Sequence, residues 1–118
     1  MYGLRSGADL NFLKGRTLVQ ACFGPHDLIL NFDEDVSISI WSALAVGQSG
    51  ADLQRHAAFA EVGQEVLRLL EKAVLEVGWT LSGTVSLTFE GDQLLELYDD
   101  NAGYESYAIS SPAGLIVV

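Results

Sequence analysis

The sequence carries the same order of three short apolar runs and two turns twice, and this repetition limits the fold more than any other feature. The first set spans residues 15–41, GRTLVQACFGPHDLILNFDEDVSISIW, and the second spans 71–98, EKAVLEVGWTLSGTVSLTFEGDQLLELY. Val, Ile, Leu and aromatic residues bounded by Gly, Pro, Asp and Asn are typical of β-strands joined by tight turns. The sequence therefore predicts an internal repeat of two similar three-stranded meanders. With one extra residue allowed in a turn, the aligned aromatic pairs are Phe23 with Trp79, Phe32 with Phe89, and Trp41 with Tyr98.

The third run of the first set, VSISIW at residues 36–41, alternates apolar residues with serines. Successive side chains of a strand point to opposite faces of a sheet, so the apolar residues share one face and the serines the other. This pattern predicts a sheet with one face in the core and the other face outside it.

Between the two sets the strand pattern ends and a helical spacing begins. Residues 47–52, GQSGAD, break the pattern, and apolar side chains then recur every three or four positions, as in an amphipathic helix.

Two further runs follow the second set, SYAI at 106–109 and GLIVV at 114–118. We predict a single domain over 1–118 of the α+β class. Its mostly antiparallel sheet has about eight short strands, built from two similar three-stranded meanders joined by one amphipathic helix over about 53–71.

The charge balance limits the classes of partner. The chain has 16 acidic and 6 basic residues, a net charge of -10. Phosphate backbones and anionic membranes attract clustered cations, so we expect no nucleic acid and no membrane as partner. A basic protein or a divalent cation suits this charge. The single cysteine, Cys22, and the lack of an apolar leader or of a run of about 18 apolar residues predict a cytoplasmic protein.

The sequence lacks a recognisable catalytic constellation. GQSG at 47–50 misses the spacing of the G-x-S-x-G nucleophile elbow. Neither His26 nor His56 has a second His or Cys three or four residues away for a metal pair. His56 follows Asp52 by four residues, but a nucleophile for a catalytic dyad is missing. We expect no enzyme activity, no catalytic residues, no metal ligands and no cofactor.

The stretch YDDNAGYESY at 98–107 contains the candidate site. Tyrosines beside acidic residues combine a large apolar area with polar tips, as binding hot spots do. A turn that only closes a strand pair is the alternative, because Asp, Asn and Gly are the usual turn residues. Oxygen ligands at alternate positions also suit calcium, although Gly and Glu do not fall at the EF-hand positions. The predicted partner-binding residues are Asp99, Asp100, Tyr104, Glu105 and Tyr107.

The segment LTFEGDQLLELYDDNAGYESYAI, residues 87–109, resembles the C-terminal part of a family of short acidic bacterial proteins of unknown function. The shared features are the two strands around a Gly turn, the Asp pair and the Tyr-Glu-Ser-aromatic-x-Ile pattern. The resemblance covers about the last third of the chain, implies a bacterial cytoplasmic protein, and transfers no active site. By charge and size alone, such proteins also resemble immunity proteins, which neutralise a toxin by covering its basic active surface.

These observations favour one function and leave two alternatives. The first is a non-enzymatic binding protein, an immunity-type inhibitor of a cationic protein partner. The second is a structural homodimer without a ligand, in which the strand GLIVV or another sheet edge pairs with its copy. The third is a divalent-metal-binding module at the acidic turns.

Overall fold

The alternating apolar runs form the strands of two antiparallel sheets. The computed structural model describes residues 3–5, 7–101 and 104–118. The nine strands of the described residues are β1 Leu18–Phe23, β2 Leu28–Phe32, β3 Ser37–Ile40, β4 Leu44–Gln48, β5 Val74–Trp79, β6 Val85–Phe89, β7 Gln93–Leu97, β8 Tyr107–Ser111 and β9 Gly114–Val117. One sheet has the strand order β1-β2-β3-β8-β9 and the other β4-β7-β6-β5.

Each half of the chain completes the sheet of the other half. Strands β1, β2 and β3 are antiparallel neighbours, as are β5, β6 and β7. The strand after each of these meanders then crosses over: β4 pairs with β7, whereas β8 pairs with β3. Because the third strand of each meander needs a hydrogen-bonding partner on its free side, the two halves depend on each other for a complete sheet.

The core lies between the inner faces of the two sheets. Leu30 and Ile38 from one sheet and Leu87 and Leu95 from the other are fully buried in the same cluster. The rings of Phe32 and Phe89 stack across the core with centroids 6.4 Å apart. A 3₁₀ helix at Asn11–Leu13 contributes Leu13 to this cluster.

The starts of β1 and β5 join the two sheets through a pair of similar hydrogen-bond sets. Thr17 and Ala73 form an antiparallel bridge. The Thr17 N–H donates to the Asp33 carboxylate at 3.0 Å, and the Ala73 N–H donates to the Glu90 carboxylate at 2.7 Å. In return, the backbone N–H groups of Asp33 and Glu90 donate to the Thr17 and Ala73 carbonyls. Turn carboxylates thereby satisfy backbone donors beside the β-bulges of both meanders.

The predicted helix over about 53–71 is wrong in length. The structure has a 3₁₀ helix at Phe59–Val62 followed directly by α1 at Gly63–Leu67. The apolar spacing is correct for these turns, because Phe59, Val62 and Val66 are buried. The molecule is therefore a mostly antiparallel sheet protein with one short helix. Within the described residues, no helix is long and apolar enough to cross a membrane.

Sheet pairing limits the helix at both ends. Before it, His56 and Leu44 exchange two backbone hydrogen bonds of 2.8 and 3.1 Å, which keep the chain extended. After it, Glu71 has a φ of 67° and its N–H donates to the Leu18 carbonyl at 2.8 Å. Long-range backbone pairing therefore overrides a local helical pattern on both sides.

The predicted number of strands, about eight, is also corrected, because the described residues form nine. β4 includes Gly47 and Gln48, which the sequence pattern assigned to a break. The run is short and rich in small residues, so its own strand signal is weak. A Cβ on Gly47 would lie 2.8 Å from the Leu53 side chain, because the following segment folds back over β4. Pairing with β7 decides its conformation.

We predict that Phe89→Ala lowers the free energy of unfolding by about 3–5 kcal/mol, because Phe89 is fully buried and stacks on Phe32. Urea denaturation followed by circular dichroism measures the change. Leu81→Ala is the matched control: Leu81 is 61% exposed, and we expect a change within about 0.5 kcal/mol. Equal losses in both variants would contradict a core between the sheets.

Candidate partner-binding groove

The Asp99 carboxylate joins the segment after β7 to two other parts of the chain. Its Oδ1 accepts a hydrogen bond from the Ser106 hydroxyl at 2.9 Å, and its Oδ2 accepts one from the Gly3 N–H at 2.8 Å. The Ser106 Oγ also accepts the Asn101 N–H at 3.2 Å, and Ser106 is fully buried. Asp99 therefore fixes the shape of this segment.

Tyr107 lies in the core beneath the same segment. Its side chain is fully buried, and its hydroxyl donates to the Gly83 carbonyl at 2.6 Å. Gly83 has a φ of 103°, and a Cβ there would lie 2.7 Å from the Asp99 Cβ, so only glycine allows this close approach. Burial raises the pKa of the Tyr107 phenol.

Arg55 covers Tyr98 and pairs with Asp100. Its guanidinium lies 3.8 Å above the centroid of the Tyr98 ring, and its Nη1 donates to both Asp100 carboxylate oxygens at 2.8 and 3.0 Å. Tyr98 donates its hydroxyl hydrogen bond to Glu96 Oε1 at 3.3 Å. Burial and the Glu96 carboxylate raise the Tyr98 pKa, and Arg55 opposes the shift. Arg55 thus neutralises Asp100 in part and closes the surface over Tyr98.

An open concavity of about 370 Å³ lies beside the segment that follows β7, between the β1–β2 turn and the end of β3. We call it the aromatic groove. Trp41 is 42% exposed and Tyr104 is 70% exposed. The backbone N–H of Trp41 donates to the Ser106 carbonyl at 2.9 Å. This bond holds the end of β3 against the segment that carries Tyr104 and Glu105. The described residues that line the groove are His26, Trp41, Asn101, Tyr104 and Glu105.

The five predicted site residues divide into two groups. Tyr104 and Glu105 are exposed and line the aromatic groove, and Asp100 lies nearby in its ion pair with Arg55. Asp99 and Tyr107 are elsewhere: the first holds the segment in shape, and the second is in the core with no side-chain surface for a partner. The structure therefore brings only part of the predicted set to one surface.

The predicted site residues do not include Trp41 and His26, which also line the groove. A signal for Trp41 was present: in VSISIW it falls on the serine side of the alternation, after Ile40, which is buried. Tyr98, aligned with Trp41, also follows a buried residue, but Arg55 covers its ring. His26 has no comparable signal, because only the pairing of β3 with β8 brings its turn near Tyr104.

Among residues 3–5, 7–101 and 104–118, no group of three or more His, Cys, Asp and Glu side chains is placed to hold a metal ion. One carboxylate in each predicted acidic turn accepts hydrogen bonds within the molecule. Asp33 accepts the Thr17 N–H, and Asp99 accepts the Gly3 N–H and the Ser106 hydroxyl. The metal-binding alternative stays a prediction.

Comparison with known proteins gives no relative: no family model, no curated protein and no solved structure matches the chain. The resemblance of residues 87–109 to a bacterial family stays a prediction.

We predict that Tyr107→Phe lowers the free energy of unfolding by about 1–3 kcal/mol at neutral pH, because the buried Gly83 carbonyl loses its donor. Chemical denaturation measures the change, and Tyr104→Phe at the exposed position is the control, with a change within about 0.5 kcal/mol. A Tyr107→Phe variant as stable as the control would contradict a stabilising hydrogen bond between Tyr107 and the Gly83 carbonyl.

Alkaline pH should destabilise the fold through Tyr98 and Tyr107. Folding raises both pKa values above the unfolded value of about 10. The contribution of these two phenols to the free energy of unfolding is therefore complete below that pH and is lost as the pH rises above it. We expect the free energy of unfolding to fall above about pH 10 and Tyr107→Phe to fall less steeply. Denaturation at a series of alkaline pH values tests this, and equal slopes would contradict it.

Proposed function

We propose that this protein is a non-enzymatic binding protein that holds a basic protein partner in the aromatic groove. The observation that carries the proposal is the meeting of two exposed aromatic rings, Trp41 and Tyr104, with the Glu105 carboxylate around one open concavity. Large apolar side chains are normally buried in a small domain, and exposed clusters of them mark interaction sites.

The chemistry of the groove suits an arginine or lysine side chain. The faces of Trp and Tyr rings attract cations, with the strongest attraction at Trp. Glu105 adds a carboxylate that, within the described part of the chain, forms no ion pair with Lys, Arg or His. A cation that enters the groove therefore meets two exposed aromatic side chains and an available negative charge.

The charge of the whole molecule favours the same class of partner. A net charge of -10 attracts a basic surface from a distance and speeds encounter, and this effect weakens as salt screens the charges. An immunity-type inhibitor that covers the basic active surface of a toxin is the specific form of this proposal. Size, charge and an exposed aromatic groove support it.

We also infer that the two meanders are copies of one duplicated unit. The bulges in β1 and β5 and the carboxylate bonds to Thr17 and Ala73 occur at equivalent places. The following turns both have two successive residues with positive φ, Glu34 and Asp35 in one and Gly91 and Asp92 in the other. These equivalences support the repeat proposed from residues 15–41 and 71–98.

The binding proposal predicts a loss of affinity when the groove is changed. Trp41→Ala should cost at least about 2 kcal/mol, or roughly thirtyfold in Kd, as expected of a central aromatic hot spot. Glu105→Gln should cost less and should reduce the salt dependence of binding. The test uses wild-type protein and a Trp41→Ala, Glu105→Gln variant as parallel baits in a lysate of the source organism, followed by titration of the captured protein.

The control bait is Leu81→Ala, Glu76→Gln, which removes the same charge and an exposed apolar side chain away from the groove. Asp99 is unsuitable for this test, because its substitution would disturb the segment that it holds. A basic protein that wild type and control retain, and that the groove variant loses, supports the proposal. A partner that all three retain equally, or one that is not basic, overturns it.

A further inference from the structure

Among the described residues, strand β9 has a strand partner on one side only. It spans Gly114–Val117 and pairs with β8 at the end of the five-stranded sheet. Tyr107 and Val118 exchange backbone hydrogen bonds in both directions, so they form a hydrogen-bonded pair. Such pairs alternate along an antiparallel ladder. The N–H and C=O groups of Leu115 and Val117 therefore point away from β8, toward the free edge.

The side chains at this edge belong to an uncharged sheet face. The register places two rows of outward-facing residues across all five strands. Neither row has an Asp, Glu, Lys or Arg residue, although the chain has 16 acidic residues. The rows are Cys22, Ile29, Ser39, Ala108 and Val117, and Gln20, Asn31, Ser37, Ser110 and Leu115.

The free edge borders open space with one positive charge. A concavity of about 430 Å³ separates Leu115, Ile116 and Val117 from the N-terminal segment that includes Gly3 and Arg5. Of the described residues that line it, Arg5 alone is charged. Natural edge strands are usually protected by charged side chains or proline, and β9 has neither between Gly114 and Val117.

We propose that β9 pairs with β9 of a second copy of this chain. A two-fold axis at Ile116 places Leu115 opposite Val117 of the partner and Val117 opposite Leu115 of the partner. Because both positions point their backbone groups outward, the pair forms four main-chain hydrogen bonds and joins the two sheets into one. Leu115, 65% exposed, and Val117, 44% exposed, then pack against their counterparts on the outer face.

Charge favours a second copy as the occupant. Two molecules of net charge -10 repel each other wherever acidic surfaces meet, so they approach best through a face without acids. Here that face is uncharged, and the cation at its border, Arg5, attracts the negative body of the other copy. Added salt should therefore strengthen this dimer, because it screens the net repulsion. Binding in the aromatic groove should show the opposite dependence.

Sedimentation equilibrium of the full chain over a concentration series, at low and moderate salt, tests the proposal. We expect a monomer–dimer equilibrium that tightens with salt. Val117→Pro removes two of the four hydrogen bonds and leaves the β8 pairing intact, because the lost N–H faces the free edge. Leu115→Glu adds a negative charge at each copy's edge. Each variant should raise the dimer Kd at least about tenfold.

Leu75→Glu is the matched control, since Leu75 is an exposed residue of β5, the edge strand of the other sheet, and the charge change is the same. Its Kd should equal that of wild type. Hydrogen exchange gives a second readout: the Leu115 and Val117 amides should gain protection as the dimer forms, while Ile116 is protected in both states. A monomer at every concentration, a Kd that ignores both β9 substitutions, or exchange of Leu115 and Val117 that is independent of concentration overturns the proposal.

Discussion

The structure depends on the need of each meander for a hydrogen-bonding partner on the free side of its third strand. β3 obtains this partner from β8, and β7 obtains it from β4, so each sheet is completed by a strand from the other half of the chain. An unpaired strand edge leaves a row of N–H and C=O groups without partners, and water satisfies them less well near a core. The exchange removes two such edges and closes the core around Phe32 and Phe89.

The same exchange builds the aromatic groove. Ser106 lies just before β8, and β8 lies beside β3. The Ser106 carbonyl therefore accepts a hydrogen bond from the backbone N–H of Trp41, and the Ser106 hydroxyl donates one to Asp99. These contacts place Tyr104 and Glu105 opposite Trp41. The β8–β9 hairpin then extends the sheet to the β9 edge. Both proposed interaction surfaces therefore follow from one pairing, although they lie on different parts of the sheet.

The two surfaces differ in electrostatic character, and this difference makes them separable. The groove has an exposed carboxylate and two aromatic rings in a strongly acidic molecule, so it suits a cationic partner. Binding of such a partner should weaken as salt is added. The outer face next to β9 has no formal charge in its two residue rows, so it suits a copy of the same acidic chain.

The sequence alone predicted every described strand except β4, and much of the inner face of each. Alternation in residues 36–41 and the turn residues around each run identify the meanders, because strand periodicity and turn preferences are local properties of the chain. Two exposed residues of the groove, Tyr104 and Glu105, were also predicted from residue type. Tyr107 was assigned to the same surface because it is a tyrosine among acidic residues. Its burial depends on contacts with distant residues such as Gly83, which lies 24 residues earlier in the chain and accepts the hydrogen bond of its hydroxyl.

Only the tertiary structure decided which strands pair, where the helix ends and which aromatic rings stay exposed. The pairing of His56 with Leu44 and of Glu71 with Leu18 shortens a helix that local spacing favours, since hydrogen bonds between distant segments compete with local ones. Trp41 and Tyr98 occupy similar sequence positions, yet Arg55 covers one ring and not the other. The sequence determines local conformation through periodicity and residue type, whereas exposure depends on contacts between residues far apart in the chain.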